Sequence, residues 1–209
     1  IQILNGYEIK RIVTTCPHCF NVLKNEYPAL GGNYNVIHHT TFLQELIEQG
    51  KIKFTDSNEW KGKSIAYHDS CYLGRANEIY EAPRNVLEQL SASLVEMKRC
   101  KSNGLCCGAG GAQMFKEEEK GDTRINFERA DEALSTNAKT VASACPFCNT
   151  MIADGIKNRE QEENVKFSCK PCVPPPQEIL NGTPNCLSLS VFKPLGITSS
   201  KFSKVYIGF

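Results

Sequence analysis

Residues 139–152 read KTVASACPFCNTMI, and residues 10–23 read KRIVTTCPHCFNVL. Each stretch passes from an apolar, β-prone segment through Cys-Pro-x-Cys into an amphipathic segment. That order predicts a strand, a thiol-bearing turn and a helix, written twice. Cys16 and Cys145 lie 129 residues apart, and the match runs on: Asn35-Val36 comes 16 residues after Cys19, and Asn164-Val165 comes 16 after Cys148. Self-similarity at a fixed spacing marks a duplicated structural unit.

Outward from these copies the pattern alternates. Strands are predicted over 11–16, 35–38, 64–69, 94–98, 140–145 and 164–167. Helices are predicted over 18–27, 41–49, 72–90, 123–137 and 147–157, with Thr40 or Thr41 as the N-cap of the second. Alternation of this kind predicts an α/β fold on mainly parallel sheets flanked by helices. The copies diverge after Asn-Val. The first continues NVIHHTTFLQELIEQG, where His38 and His39 end a strand and start a helix. The second continues NVKFSCKPCVPPPQEIL, where Pro171 and Pro174–Pro176 forbid a helix. The division expected is residues 1–50 as the end of one domain, 51–63 as a linker, 64–167 as a second domain, and 168–209 as a proline-rich tail foreign to the repeat.

The chain has 209 residues, 41% hydrophobic, with a net charge of +1. The charge balance gives no basic footprint for nucleic acid. No apolar run approaches the roughly 18 residues of a membrane span, and the first residues do not read as a signal peptide. The start lacks Met, so the sequence is expected to be a piece of a longer, cytoplasmic protein. Eleven cysteines is a high and odd count. It fits disulfide pairing poorly in a chain of this size and favours metal or redox work.

The placement of the thiols sharpens this. Cys71 follows the strand SIAYHD and is expected to open a helix. Cys106 and Cys107 sit in SNGLCCGAGG, Cys145 ends a strand, and Cys148 falls in the next helical turn. The carboxyl ends of parallel strands face one crevice, so these five thiols are expected to converge. Helix starts and free N–H groups stabilise thiolates and the sulfides of a cluster. Gly108, Gly110 and Gly111 let the backbone pass close to one. Adjacent cysteines rarely pair with each other but can both ligate a multi-iron cluster.

The segments YHDSCYLGR (67–75), NGLCCGAGGAQMF (103–115), INFERADEAL (125–134) and ASACPFCNTM (142–151) together resemble the cysteine-rich CCG domain. That domain occurs in heterodisulfide reductases and in the iron–sulfur subunits of glycolate, lactate and glycerol-3-phosphate dehydrogenases. Residues 14–40 look like the end of a preceding domain of the same kind. The resemblance implies tandem CCG domains, the first truncated and keeping only Cys16 and Cys19 as a partial second site. It implies an oxidoreductase subunit whose four-iron cluster, of the non-cubane type in some members, is held by Cys71, Cys106, Cys107, Cys145 and Cys148. It further implies electron transfer or disulfide chemistry, a flavoprotein or other redox subunit as partner, and ferredoxin-like domains upstream. Membrane attachment would come only through a missing region or a partner.

Other readings stay open on the residues alone. The five thiols can form a zinc-binding structural module, although zinc needs only four ligands. Cys-x-x-Cys, present twice, also suits a cluster-free thiol–disulfide oxidoreductase. His68 can tune a cluster through hydrogen bonds to sulfur. Asp69 is expected to cap the next helix. Arg75 either offsets cluster charge or is solvated. Cys100 reads as a bystander, and Cys169, Cys172 and Cys186 lie in the tail with nothing nearby to complete a site. The run 116–122 reads as an exposed acidic face.

Overall fold

Strand β5, Thr140–Ser143, is buried along its whole length. A β-branched pair followed by small residues suits a strand covered on both faces, as the inner strands of parallel sheets are. In the computed structural model, which describes residues 1–52, 60–117, 120–160, 164–168 and 206–208, β5 lies inside a four-stranded parallel sheet. The other strands of this sheet are β3 (Ser64–His68), β4 (Ser93–Glu96) and β6 (Lys166–Ser168), in the spatial order β4-β3-β5-β6. The chain leaves β3 for β4 on one side and returns to the other side of β3 for β5. That reversal creates a switch point at the carboxyl ends of β3 and β5, where open parallel sheets bind their ligands. His68 and Ser143 are register partners at this edge.

Among the described residues, three α-helices complete this unit, which spans Lys53–Cys169. They are α4 (Glu81–Gln89), α5 (Ile125–Leu134) and α6 (Pro146–Asn158). The buried face of α6 is Cys148, Met151, Ile152, Gly155 and Ile156, a helical stripe. The face of α5 that it meets carries Asn126, Arg129, Ala130 and Ala133. The two helices approach closely at Gly155, where a Cβ would stand 2.6 Å from the Asn126 carbonyl oxygen and 2.8 Å from the Ala130 Cβ. Ala66, Ala130, Val141 and Ile152, all fully buried, form the middle of the core.

The other unit, Ile1–Ile52 with Lys170–Phe209, holds a parallel sheet in the order β2-β1-β7. Its strands are β1 (Arg11–Thr14), β2 (Asn35–His38) and β7 (Tyr206–Gly208). Helices α1 (Gln2–Gly6), α2 (Pro17–Asn21) and α3 (His39–Glu48) accompany them. The repeat seen in the sequence has a structural counterpart. Cys16 and Cys145 both precede a proline at the first helical position, a placement that costs no hydrogen bond. The copies differ in register: Arg11 pairs with Asn35, whereas its equivalent Thr140 pairs with Lys166, two residues beyond the expected Asn164.

Three sequence expectations change. The helix expected over 72–90 is confined to Glu81–Gln89, and Cys71 sits instead in a run of turns. Pro83 explains this, since a helix running through it would lose a hydrogen bond and clash with the preceding turn. The helix expected over 18–27 is α-helical only over Pro17–Asn21, then widens to a π turn over Val22–Glu26 and tightens to a 3₁₀ turn over Tyr27–Leu30. Pro28 disfavours a continuing α-helix there. Helix α3 is capped by neither Thr40 nor Thr41; His38 is its N-cap, with Nδ1 accepting from the Thr40 N–H at 3.4 Å.

Residues 53–59 of the expected linker, 118–119 of the acidic run, and 169–205 and 209 of the expected tail, with Cys169, Cys172 and Cys186, lie outside the described residues. Among the described residues, no helix is long and apolar enough to cross a membrane.

Candidate metal centre

The connection after β3 carries Asp69, Ser70 and Cys71 to the sheet's carboxyl edge. Asp69 is buried and serves as a tie rather than a helix cap, because no helix begins at Cys71. It accepts from Arg84 Nη1 and Nη2, each at 2.8 Å, and from the Lys101 N–H at 2.6 Å. Arg84 continues to Glu96, with Nε at 2.6 Å and Nη2 at 2.9 Å. Arg84 and Asp69 together thus hold the Cys71 loop, α4, the end of β4 and the approach to the CCG loop. A second tie is Arg75, whose Nη2 donates to the Gly104 carbonyl at 2.5 Å. Arg75 is otherwise exposed, so this bond anchors it while the guanidinium stays in contact with solvent.

The CCG loop turns back at Gly108, which has a φ of 89°. A Cβ there would also press on the Asn126 nitrogen at 3.3 Å and the Ile125 Cβ at 3.4 Å. Glycine is required on both counts. The turn aims backbone N–H groups at sulfur: Gly108 N–H lies 3.3 Å from Cys106 Sγ, and Gly110 N–H also bonds it.

The structure brings all five of these cysteines into one hydrogen-bonded series. Cys71 bonds Cys106, Cys106 bonds Cys107, Cys107 bonds Cys148, and Cys148 bonds Cys145. Their thiols divide by role. Cys106 accepts from Cys107, from Cys71 and from the loop N–H groups, which holds its pKa far below the usual thiol range. Cys107 is pushed up to about 12, first because its proton is shared with Cys106. Cys71 is raised, first by its bond to Cys106 and then by burial. Cys148 is raised by its bonds to Cys107 and Cys145 and by burial. The eight cysteines of the described residues are thiols, none in a disulfide.

His68, fully buried at the end of β3, stands beside this series. A ring nitrogen of His68 and the sulfurs of Cys107 and Cys148 lie within 4.8 Å of one another. Burial, and secondly the charge of Arg129, lower its pKa to about 3, so the ring is neutral. Arg129 Nε donates to His68 Nδ1 at 2.9 Å. Arg129 is itself fully buried, held by Glu132 at 3.0 Å and by the Arg99 carbonyl at 2.9 Å. The sequence patterns above single out neither Arg84 nor Arg129. A signal for Arg129 does exist: it shares a helical face with Ala130 and Ala133, where a charge is out of place unless it has a task.

The donor set suits an iron–sulfur cluster. Five soft sulfurs exceed a closed zinc site, and an anionic cluster needs hydrogen-bond donors around it. The loop N–H groups are such donors. Two more are the buried His68 Nε2 and Arg129 Nη2, which have no partner among the described residues. A cleft of about 620 Å³, lined by Gly108, Asn126, Met151, Arg124 and Arg159 among others, opens beside the CCG loop. Cys16 and Cys19 belong to the other unit. Cys16 is buried at the start of α2 with its sulfur 3.8 Å from His18 Nδ1, and Cys19 is half-buried one turn on.

Parallel sheet, switch point and thiol-lined mouth together define an α/β domain built to present cysteines. Residues 65–153 match the cysteine-rich domain family CCG. Over 172 residues the chain is 44% identical to an EtfAB:quinone oxidoreductase of Syntrophomonas wolfei, covering 79% of this chain and 24% of that protein. It is 46% identical over 160 residues to the probable iron-sulfur-binding oxidoreductase FadF of Bacillus subtilis, covering 76% and 22%. It is 37% identical over 159 residues to one subunit of the dihydromethanophenazine:CoB–CoM heterodisulfide reductase of Methanosarcina barkeri, covering 74% and 38%. The chain thus spans between about a fifth and two fifths of these relatives' lengths.

Proposed function

We propose that the chain is part of an iron–sulfur oxidoreductase subunit, with a cluster held by Cys71, Cys106, Cys107, Cys145 and Cys148. The observation that carries this reading is the continuous series of five thiols at the switch point, ringed by N–H donors. A cluster there supplies single-electron chemistry, which plain dithiol exchange does not. The residues prepare the site before loading. The surrounding donors favour the thiolate of Cys106, while hydrogen bonding and burial favour the protonated forms of Cys71, Cys107 and Cys148, so assembly releases protons. The relatives named for quinone and heterodisulfide chemistry support a role in electron relay or disulfide reduction, with a flavoprotein or other redox subunit as partner. The cluster is of the four-iron class, and the cleft beside Gly108 admits a small acceptor. Cys16 and Cys19 are the remnant of a preceding, truncated CCG domain and a partial second site. Ferredoxin-like domains upstream complete the protein.

A zinc module is the second reading, favoured by the close grouping of His68, Cys107 and Cys148. It meets an obstacle: with Nδ1 occupied by Arg129, the single proton of the neutral ring falls on Nε2, where a metal would have to bind. Anaerobic reconstitution with iron and sulfide decides between them. Wild type is expected to take up about four irons with matching sulfide, and Cys106→Ser to lose or alter the paramagnetic resonance signal. Stoichiometric zinc with no retained iron overturns the cluster reading.

A further inference from the structure

Buried hydrogen-bond donors without acceptors are rare, because each costs the full price of desolvation. Two occur together here, His68 Nε2 and Arg129 Nη2, and both residues are 0% exposed. They are joined by the bond from Arg129 Nε to His68 Nδ1. A guanidinium has donors only, so Nδ1 must be the accepting nitrogen. A neutral imidazole then carries its proton on Nε2. The tautomer of His68 is therefore set by Arg129 rather than free to exchange. Arg129 in turn is fixed on its other side by Glu132 and the Arg99 carbonyl.

We propose that His68 donates its Nε2–H to a sulfur of the bound cluster, and that Arg129 is the positioning residue that fixes the tautomer able to do so. This rests on the cluster reading above and assigns its redox tuning. The geometry is specific. His68 lies within 4.8 Å of the Cys107 and Cys148 sulfurs, at the end of the strand adjoining β5. A hydrogen bond to sulfur, and a buried positive charge behind it, both favour the more negative, reduced cluster and raise its potential. The same donor excludes His68 as a ligand, so the ligands remain thiolates. Glu132 and the Arg99 carbonyl take Nη1 of Arg129, His68 takes Nε, and Nη2 has no partner among the described residues.

Two measurements on the full chain test this. In the metal-free, reduced protein labelled with ¹⁵N-histidine, the His68 signals, assigned by their loss in His68→Gln, should show a protonated Nε2 and a bare Nδ1. Arg129→Lys should weaken or reverse that preference. In the reconstituted protein, redox titration followed by paramagnetic resonance should place His68→Leu at least tenfold lower in reduced-to-oxidised ratio at a fixed poise, about 59 mV more negative for one electron. His68→Gln keeps an N–H near the Nε2 position and should recover most of the loss, which a purely structural role would not allow. A proton on Nδ1, or equal potentials in wild type and His68→Leu with iron and sulfide intact, overturns the proposal while leaving the cluster. Iron that never binds overturns both.

Discussion

Replacing Arg84 by Met should destabilise the Lys53–Cys169 unit severely. Arg84 is 3% exposed and Asp69 is 6% exposed, so neither charge has water to fall back on. Removing the guanidinium leaves Asp69 with the Lys101 N–H and without its two 2.8 Å bonds. Each lost charged hydrogen bond contributes about 1.5–3 kcal/mol. The Glu96 arm adds less, because that carboxylate is 37% exposed and screened. Relaxation around Asp69 offsets part of the loss, which brings the expected cost to about 3–5 kcal/mol, the range for breaking a buried pair from one side. Trp60 is the only tryptophan in the chain and lies in this unit, so its fluorescence during urea unfolding follows the transition of interest. With a slope of about 1–3 kcal/mol/M, the midpoint should fall by roughly 1–5 M. Combining Arg84→Met with Asp69→Asn should cost less than the two changes summed, since the stranded charge is gone. A cost below about 1 kcal/mol for Arg84→Met alone would refute the reasoning, because it would mean that Asp69 is not a desolvated charge.

Two further outcomes follow from α5. Burial alone would push the pKa of Glu132 up, but the Arg99 N–H, the Arg129 charge and the Arg99 side chain outweigh it and leave it below 4.5. Its contribution is therefore complete above about pH 4.5 and disappears as pH falls through the folded value. The urea midpoint of wild type should drop more steeply than that of Glu132→Gln between about pH 5 and pH 3, and parallel curves would refute this. Gly155→Ala should cost about 1–3 kcal/mol by forcing α5 and α6 apart, although alanine is the better helix former. A raised midpoint would show that the helices are not in contact there.

Much of the fold is legible in the order of residues. Alternating apolar segments with turn signals announce β3, β5 and β6, and the stripe from Cys148 to Ile156 announces α6, because period and burial agree in those elements. Failures come where a local pattern meets a tertiary constraint. YLGRANEIY after Cys71 is composed like a helix start, yet the tie from Asp69 to Arg84 and the proline at position 83 keep it in turns. Gathering of the thiols follows from the parallel-sheet rule, since each predicted strand end delivers its cysteine to the same edge. Arg129 and Arg84 stay hidden because a buried arginine is defined by partners far away in sequence, at His68, Glu96 and Asp69, and no spacing rule finds those.

No strand of the Lys53–Cys169 sheet contains a cysteine; the thiols come from the loops and helix starts beyond its carboxyl edge. Scaffold and chemistry are therefore largely separable for anyone who would re-engineer the domain. Volume-conserving changes in β3 short of His68, and in β5, should alter durability and spare the mouth. The exception is α5, whose Arg129 is at once a member of the hydrophobic interior and a neighbour of the site through His68. There, as at His68 and at the Asp69–Arg84 tie that holds the Cys71 loop, robustness and reactivity cannot be adjusted independently.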